Sequence, residues 1–600
     1  MNEASVKAET VGAEPLDLVE VLRARVKRTP NARVLRFVED GAVSSVDLTY
    51  EALDADARAL AAVLQRDGAT GERVLILLKP GRQYVVSIWA CFYAGAIAVP
   101  SYPPTQARSL ARVRGISSNA ECRFVLAEPE LEARAAEFAS RAPEFRDLRW
   151  VTAPPRGSNL ADEWVPPRAD PARLALLQYT SGSTDEPKGV MISHGNLLHN
   201  SSFIRRAFEL NEGERGLSWL PPYHDMGLIG GLLQPVFSGL ETVIFSPADF
   251  LRRPLFWLEC ISRYRVTCSG GPGFAYDACV KALQQGASAE GLDLSSWQVA
   301  FVGAEAVRAR TLHEFGKAFA KVGFARSAFL PCYGLAEATL IVSGACRQQE
   351  PVVEAFDAGA YREGRLLPAT GSEAQVTLVG CGPPVQPGSV AIVEPGTRQC
   401  SPDGHVGEIW VRNPSVAQGY WRRPEVSADS FGATLADAVG QRYLRTGDLG
   451  FVRNGELFIS GRTKEIIIVR GMKHHATDIE ATVRGADPAL EPCVVAAVGA
   501  ELGGEEVLVV VVELPSQLTL DAPRLAARAA HHVASQHGIR LADFVPVRAG
   551  QMARTSSGKI QRFAVLEAYR EGKLKRFDKR SNQSGVTSRA AASAVEVDGQ

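Results

Sequence analysis

The sequence predicts an α/β protein with a large N-terminal domain of layered α/β subdomains and a small, mobile C-terminal α+β domain. Arg73–Leu78, RVLILL, is a continuous apolar run of the kind that forms a buried strand between helices. Thr49 is suited to cap a helix that carries one apolar stripe, formed by Leu53, Ala57, Leu60, Ala61 and Leu64. The segment Gly461–Gly471 begins a second, shorter pattern of strands and helices, which predicts the separate C-terminal domain.

The elements follow in order from the hydrophobic patterns. From Leu16 to about Pro100 the pattern predicts a helix, a hairpin, a helix, a strand, a helix and a strand. The uncharged stretch Tyr84–Pro100 is marginal in length for a membrane span, and Gly95 and Pro100 divide it into a buried helix and a short strand. Later elements are a helix capped by Ser193, a helix from about Pro254 to Tyr264, and C-terminal strands at Ile466–Val469, Cys493–Val498 and Val507–Val512 with helices around Asp521–His537.

Composition narrows the classes of partner and compartment. The 600 residues include 66 basic and 67 acidic side chains, so the chain has no overall field that would attract nucleic acid or anionic lipid. The ten cysteines include no CxxC pair and no cluster at zinc spacing, which predicts reduced thiols, mostly in the core. The N-terminus lacks the apolar region of a signal peptide. We therefore expect a cytoplasmic protein with no membrane span and no nucleic-acid partner.

A polar loop between two strands is the strongest functional signal. Leu174–Leu177 and Val190–Ile192 predict the strands, and the loop between them supplies hydroxyl groups, glycines and one lysine: Thr180, Ser181, Gly182, Ser183, Thr184, Lys188 and Gly189. Hydroxyls, a sharply turning backbone and a fixed cation are what a polyphosphate requires. A Walker loop is excluded by spacing, because Pro187 precedes Lys188 and Gly189 follows it. A segment of this composition taken alone would more often be a solvated turn.

Three predicted strands end in glycine-rich or polar segments: Ser269–Gly273, Phe301–Glu305 and Pro331–Leu340. Ligands of open α/β sheets bind outside the carboxyl ends of the strands, so the three ends predict one crevice. Glu337 is the carboxylate suited to Mg²⁺ there, although a lone glutamate is more often a solvated surface group. His224 and Asp225 lie in a loop suited to feed a narrow apolar channel, and a structural His–Asp pair is an equal alternative.

The remaining candidate residues lie towards the C-terminus. Asp448, in RTGDL, is an acid suited to accept hydroxyl groups of a ribose. Lys559 is the one lysine in a polar TSSGK loop of the small domain. We divide the chain into a disordered N-terminus (1–15), a large domain (16–462), a small domain (463–572) and a disordered tail (573–600), because the ends lack an apolar period.

Five segments resemble the adenylate-forming superfamily of acyl-CoA synthetases, peptide-synthetase adenylation domains and luciferases, in that family's order and spacing: YTSGSTDEPKGV, YGLAEATL, RTGDLG, GRTKEIIIVRG and TSSGKIQR. Further segments resemble the fatty acyl-AMP ligases within it, among them VPSYPP, PPYHDMGLIGG and RRPLFWLECISRYRVTCSGGPGFAYD. Ala336 stands where the superfamily more generally has threonine, a departure that these ligases share. Residues 345–377 resemble the insertion specific to these ligases.

The resemblance implies that a fatty acid is activated as acyl-adenylate with ATP and Mg²⁺, then passed to the phosphopantetheine thiol of an acyl carrier protein supplied by another chain. It implies catalytic roles for Lys559, Thr184, Glu337 and His224, with Glu337 as the metal ligand. It implies that ATP or AMP contacts Thr180, Ser181, Gly182, Ser183, Thr184, Lys188, Gly303, Ala304, Glu305, Tyr333, Gly334, Asp448 and Arg462. It implies an acyl tunnel at His224, Met226, Gly230, Ser269 and Gly270, and a hinge at Lys464.

Two rival functions remain open from the sequence. An acyl-CoA synthetase would use free CoA as acceptor, and a comparison of CoA with a pantetheinylated carrier separates the two enzymes. A non-catalytic module that binds acyl-adenylates or partners is the rival of another class. Retention of Lys188, Glu337, Asp448 and Lys559 together argues against it.

Overall fold

The computed structural model describes residues 15–39, 45–104, 107–133, 143–180, 187–371, 375–438, 440–469, 472–502, 505–514, 521–554 and 559–577. The chain divides into two compact units, Met1–Ser460 and Gly461–Gln600. This division lies two residues before the predicted boundary after Arg462.

The first part of the larger unit alternates helices and strands in this order: α1 (Leu18–Arg28), β1 (Arg33–Phe37), β2 (Val46–Thr49), α2 (Tyr50–Arg66), β3 (Arg73–Leu77), α3 (Arg82–Ala94), β4 (Ile97–Pro100), α4 (Ala107–Ala120), β5 (Phe124–Ala127), α5 (Pro129–Glu132), β6 (Arg149–Val151), β7 (Leu174–Thr180) and β8 (Lys188–Ser193). The order predicted for the chain up to Pro100 is confirmed, including the division of the uncharged stretch into α3 and β4. Among the described residues, no helix is long and apolar enough to cross a membrane.

The middle part continues with α6 (His194–Ala207), β9 (Arg215–Ser218), a π-helix (Met226–Leu233), α7 (Gln234–Ser238), β10 (Glu241–Ile244), α8 (Pro247–Arg252), α9 (Leu255–Tyr264), β11 (Cys268–Gly271), α10 (Gly273–Gln284), β12 (Val299–Val302), α11 (Ala309–Phe319), β13 (Phe329–Gly334) and β14 (Ile341–Gly344). The rest of this unit comprises β15 (Val353–Asp357), α12 (Ala358–Arg362), β16 (Gln375–Val379), β17 (Val390–Glu394), β18 (Gln399–Cys400), β19 (Gly407–Val411), α13 (Pro424–Phe431), β20 (Leu444–Arg453) and β21 (Glu456–Arg462).

Two large sheets organise this unit. One has the order β6-β5-β3-β4-β7-β8, with only β8 antiparallel to its neighbour. The other has the order β14-β13-β12-β11-β9-β10-β1-β2 and is parallel from β13 to β1. The carboxyl ends of these parallel strands share one edge, which is where a ligand crevice is expected.

The capping residues act as the sequence predicts. The hydroxyl of Thr49 accepts the Ala52 amide proton at 3.2 Å and starts α2. The predicted apolar stripe of α2 is fully buried: Leu53, Ala57, Leu60, Ala61 and Leu64. Ser193 and Asn196 form a reciprocal capping box at the start of α6, directly after the strand that follows the polar loop. Local chemistry therefore fixes where both helices begin.

The predicted insertion forms a small hairpin. Strands β15 and β16 pair antiparallel, with Val353 opposite Val379. Phe356, Tyr361 and Leu366 pack against Phe451 and Phe458 of β20 and β21. These two strands belong to the five-stranded sheet β18-β17-β19-β20-β21, so the insertion is anchored to that sheet by an aromatic cluster.

The smaller unit contains β22 (Ile466–Val469), β23 (Met472–His475), α14 (Ala476–Gly485), β24 (Val494–Leu502), β25 (Glu505–Leu514), α15 (Ala522–His537), β26 (Leu541–Arg548) and α16 (Arg562–Arg570). Strands β24, β25 and β26 form a mixed sheet whose centre, β25, is almost entirely valine between Val507 and Val512. The α+β prediction for this domain is confirmed.

The predicted disordered tail begins too early. The Phe577 amide donates to the Pro546 carbonyl at 2.8 Å, and Arg576 bridges to Val547, so residues 576 and 577 lie beside β26. The Phe577 ring packs on the core of this unit, which charged composition alone does not reveal. The expectation of disorder for residues 1–14 and 578–600 lies outside the described residues.

Candidate active site

The three strand ends predicted to share a crevice are neighbours in the eight-stranded sheet. Strands β11, β12 and β13 are adjacent and parallel, and the Gly303 amide donates to the Gly271 carbonyl at 3.4 Å. A Cβ at Gly303 would lie 2.9 Å from the Cys332 carbonyl oxygen, so the backbone is closely approached there. Ala304 has a φ of 68°. Residues other than glycine seldom adopt this backbone conformation, and it is often found at ligand sites.

The third strand end turns back on itself. A Cβ at Gly334 would lie 1.7 Å from the Leu340 carbonyl oxygen, so only glycine fits where β13 meets the returning chain. Between them, Ala336–Ala338 form a short 3-10 helix that carries Glu337. Thr339 has a φ of 71° and a ψ of −61°, and the Leu340 amide donates to the Ala338 carbonyl at 2.9 Å, which defines a strained γ-turn. A strained turn of this kind persists only where the surrounding contacts hold it, and it directly follows the 3-10 helix that carries Glu337.

Two predicted nucleotide residues from distant segments are joined by a hydrogen bond. The Tyr333 hydroxyl donates to Asp448 Oδ2 at 2.7 Å, and both side chains are buried. This bond holds the aromatic ring at the end of β13 beside the carboxylate of β20. Glu305 instead accepts the Phe274 amide proton at 2.9 Å, so its carboxylate braces the start of α10.

The metal and phosphate candidates meet at a residue that the sequence analysis missed. The Tyr420 hydroxyl donates to Glu337 Oε1 at 2.8 Å. Lys188 Nζ lies 5.4 Å from the centre of the Tyr420 ring, within the range of a cation–π contact. Burial and the Glu337 carboxylate raise the pKa of Tyr420, so the phenol stays protonated as a donor. The sequence signal that could have identified Tyr420 is the segment GYW at residues 419–421, where a glycine precedes two aromatic residues.

The polar loop itself is only partly described. Thr180 and Lys188 are backbone partners where β7 and β8 pair, so the loop is closed at its base. Ser181, Gly182, Ser183 and Thr184 lie outside the described residues. The predicted strands on either side of the loop are confirmed.

The predicted acyl-path residues separate into two groups. His224 lies in the turn that leads into the π-helix beginning at Met226, and Gly230 is within that helix. Ser269 and Gly270 are instead buried in β11. The Ser269 hydroxyl donates to the Leu217 carbonyl and accepts from the Trp257 indole, each at 2.9 Å. A Cβ at Gly270 would lie 2.1 Å from the Phe301 carbonyl oxygen. Ser269 and Gly270 therefore contribute to the packing of the sheet.

A small cavity opens beside the turn that contains His224. It lies at the carboxyl ends of β1, β9 and β10, on the same sheet edge as Gly303 and Tyr333. Its walls are mostly apolar and include Tyr84, Val85, Leu220, Pro222, Gly227 and Leu232. Ser269 and Gly270 do not line it.

In the smaller unit, buried carboxylates bind Arg554 and Arg562, the two arginines that flank Lys559 in the sequence, and residues 555–558 lie outside the described residues. The Arg554 guanidinium donates to Glu513 Oε1 at 2.9 Å, and Arg554 bridges to Ile560. On the other side, Arg562 donates to Glu480 at 2.8 and 2.9 Å and to Glu465 at 2.7 Å. These pairs were not predicted from the sequence. Arg462 is exposed, and Lys464 lies in the 3-10 helix Thr463–Glu465.

The donor set suits a magnesium–nucleotide complex. Glu337 is a half-buried carboxylate, and the described residues contain no group of three or more His, Cys, Asp or Glu side chains arranged for a metal. Mg²⁺ is commonly held by one or two carboxylates together with substrate phosphates, rather than by an all-protein cage. Glu337, which shares Tyr420 as a contact with Lys188, fits that arrangement.

Comparisons with known proteins identify the family of this chain. A family described as "AMP-binding enzyme" matches residues 22–421, and one described as "Disco-interacting protein 2-like, AMP domain" matches residues 464–579. The medium-chain-fatty-acid–[acyl-carrier-protein] ligase JamA of Moorena producens is 40% identical over 96% of this chain and 98% of its own length. The crystal structure of the fatty acid AMP ligase from Legionella pneumophila has 38% identity and a TM-score of 0.74, covering 94% of this chain and 97% of that one. The chain therefore belongs to the AMP-binding enzymes and, within them, to the fatty acyl-AMP ligases.

Proposed function

We propose that this enzyme activates a fatty acid with ATP and transfers the acyl group to the phosphopantetheine thiol of an acyl carrier protein on another chain. In the first step a carboxylate oxygen attacks the α-phosphorus, the bond to the bridging oxygen breaks, and pyrophosphate leaves. In the second step the thiol sulfur attacks the acyl carbonyl, AMP leaves, and the thiol proton passes to solvent. The observation that carries the proposal is the meeting of Lys188 and Glu337 at Tyr420.

The residues contribute mainly by positioning and by neutralising charge. Asp448, whose carboxylate accepts a hydrogen bond from the Tyr333 hydroxyl, is assigned to the ribose hydroxyls. Lys188 is assigned to the phosphate oxygens, together with the polar segment between β7 and β8. When bound, Mg²⁺ would offset charge on the phosphate oxygens, and Glu337 is the carboxylate that would hold it. Lys559 is assigned to the carboxylate and the α-phosphate, and Lys464 to the hinge.

Fatty-acid-dependent exchange of pyrophosphate into ATP tests the first step, measured over a series of acyl chain lengths. Absence of exchange with every acid would refute the proposed activity and favour a non-catalytic binding module. The acceptor is tested by supplying CoA or a pantetheinylated carrier protein after adenylation. Efficient acyl-CoA formation would identify an acyl-CoA synthetase instead.

The acyl chain is assigned to the cavity beside the His224 turn, because that cavity is apolar and shares the sheet edge with the nucleotide residues. Val85→Phe should fill the cavity and lower the exchange rate with the longer acids by about tenfold. A loss of this size is expected because one methylene group more or less in an apolar pocket changes kcat/KM by at least about tenfold. Rates with the shortest accepted acids should change little. The measurement is the ratio of exchange rates across the chain-length series.

Val86→Phe is the matched control, because Val86 is equally buried on α3 but does not line the cavity. It carries the same cost of overpacking, about 1–3 kcal/mol. If both variants lost activity evenly at all chain lengths, the cavity would not hold the acyl chain.

The insertion is assigned to excluding CoA, on the basis of its length and its anchoring to β20 and β21. Val353 and Val379 are partners in register, so residues 354–378 can be removed and the ends joined by a two-residue turn. The excised enzyme should form acyl-CoA measurably faster while retaining pyrophosphate exchange. Phe356→Ala, which removes the buried ring at the centre of the anchor, should act in the same direction.

The Phe356→Ala variant keeps the length of the chain, so it remains informative if the excision prevents folding. Unchanged acyl-CoA formation in a folded, adenylating variant would show that CoA is excluded elsewhere in the enzyme.

A further inference from the structure

The segment that carries Tyr420 is bound to the strand that follows the polar loop. The Met191 amide donates to the Gly419 carbonyl at 2.9 Å, and the Trp421 amide donates to the Gly189 carbonyl at 2.8 Å. Val190 and Tyr420 form a β-bridge between these bonds. Because Lys188 is the first residue of the same strand, the backbone fixes the distance between the lysine and the tyrosine.

The same segment is bound to the strand end that carries Glu337. The Ala417 amide donates to the Glu337 carbonyl at 2.9 Å, in addition to the bond from the Tyr420 hydroxyl to the Glu337 carboxylate. The Thr339 hydroxyl donates to the Ser415 carbonyl at 2.6 Å from within the γ-turn. Glu337 is therefore bound to this segment through its backbone carbonyl and its carboxylate, and the Thr339 hydroxyl adds a third hydrogen bond.

Side chains of helix α6 bind both the segment that carries Tyr420 and the chain that follows Glu337. Asn196 Nδ2 donates to the Pro414 and Val416 carbonyls at 2.8 and 3.0 Å. Asn200 Nδ2 donates to the Ile341 carbonyl at 3.0 Å, and its Oδ1 accepts the Ile341 amide proton at 3.2 Å. Buried side-chain bonds of this kind hold two loops in one arrangement, so the tyrosine and the glutamate have little freedom to separate.

We propose that Tyr420 is a positioning residue that couples the phosphate lysine Lys188 to the metal carboxylate Glu337. Its hydroxyl engages one oxygen of Glu337 and so fixes the orientation of the carboxylate. Its ring holds the ammonium group of Lys188 near the same point before the nucleotide binds. The proposal rests on the proposed function, because the roles of Lys188 and Glu337 are part of it.

Replacing the hydroxyl separates the two contacts. Tyr420→Phe keeps the ring beneath Lys188 and removes only the bond to Glu337. Loss of a group that orients a metal ligand commonly weakens metal affinity by about 10- to 100-fold. We expect the Mg²⁺ concentration for half-maximal pyrophosphate exchange to rise by about that factor, with a smaller change in the rate at saturating Mg²⁺.

Metal binding is also measured directly, in the absence of catalytic turnover. Binding of Mn²⁺ in the presence of the α,β-methylene analogue of ATP is followed from the electron paramagnetic resonance signal of free Mn²⁺. Tyr420→Phe should weaken this binding in parallel with the Mg²⁺ requirement. Glu337→Gln provides the reference for loss of the carboxylate itself.

Replacing the ring tests the second contact. Tyr420→Leu removes both the hydroxyl and the cation–π contact, whose loss corresponds to roughly a two- to fivefold effect at a partly exposed site. We expect the KM for ATP to exceed that of Tyr420→Phe by roughly this factor. Tyr443→Phe is the matched control, because its hydroxyl donates to Gln441 at 3.2 Å in the same unit and contacts neither Lys188 nor Glu337.

The outcomes are distinct. Unchanged Mn²⁺ affinity in Tyr420→Phe would overturn the proposal, whether activity were retained or lost. A loss of the same size in Tyr443→Phe would also overturn it. If the wild-type enzyme showed no fatty-acid-dependent exchange but Tyr420→Phe still weakened Mn²⁺ binding, the proposed function would fail and the positioning role would remain.

Discussion

Lys559→Ala is expected to lower fatty-acid-dependent pyrophosphate exchange by about 10²- to 10³-fold, the usual effect of removing a group that stabilises charge in the transition state. Negative charge is concentrated on the phosphoryl group only during adenylation. Thiol attack on a preformed acyl-adenylate uses a different domain orientation in the proposed mechanism, with Lys559 removed from the site. The variant should therefore still transfer acyl groups from supplied acyl-AMP to a pantetheinylated carrier.

Lys573→Ala is the matched control, because Lys573 is a lysine of the same unit that pairs with Glu571 at the surface. It should leave both half-reactions near the wild-type rate. An equal fall of adenylation and thiol transfer in a correctly folded Lys559→Ala enzyme would contradict the assignment. Lys559 would then have a general structural role or a role in docking the carrier.

Arg562→Met is expected to destabilise the smaller unit by about 3–5 kcal/mol, because it leaves a buried carboxylate without its partner. Glu480 is 1% exposed and accepts both bonds of the Arg562 fork as well as the Ala497 amide proton at 3.1 Å. The measurement is hydrogen exchange of α14 and β24 in the full chain, since these elements should open together. Adenylation should also fall, because Arg562 anchors the chain three residues after Lys559.

The double variant Arg562→Met/Glu480→Leu separates stability from positioning. Replacing a buried ion pair by apolar side chains is often neutral or stabilising, so protection against exchange should return. Adenylation should remain low, because the chain after Lys559 still lacks the anchor that Arg562 provides. Arg570→Met, at an exposed pair with Glu567, should change neither property. Full recovery of adenylation in the double variant would show that Arg562 acts through stability alone.

Local chemistry made much of the fold readable from the sequence. The strand β3, the caps at Thr49 and Ser193, and the strands around the polar loop depend on residues within a few positions of each other. The alternation of such elements also predicts the parallel sheets and the shared strand edge. The order of the family's segments predicted membership of the fatty acyl-AMP ligases, which the comparisons confirm.

The sequence by itself thus determined the fold class, the family and the candidate residues that lie within recognisable segments. Only the tertiary structure decided which side chains meet. Tyr420 contacts a glutamate 83 positions away, and Arg562 contacts one 82 positions away. The ordered run at Phe577 depends in the same way on a core built from other segments. Local patterns do not reveal such pairs, because the partners come together only when distant elements pack as the chain folds.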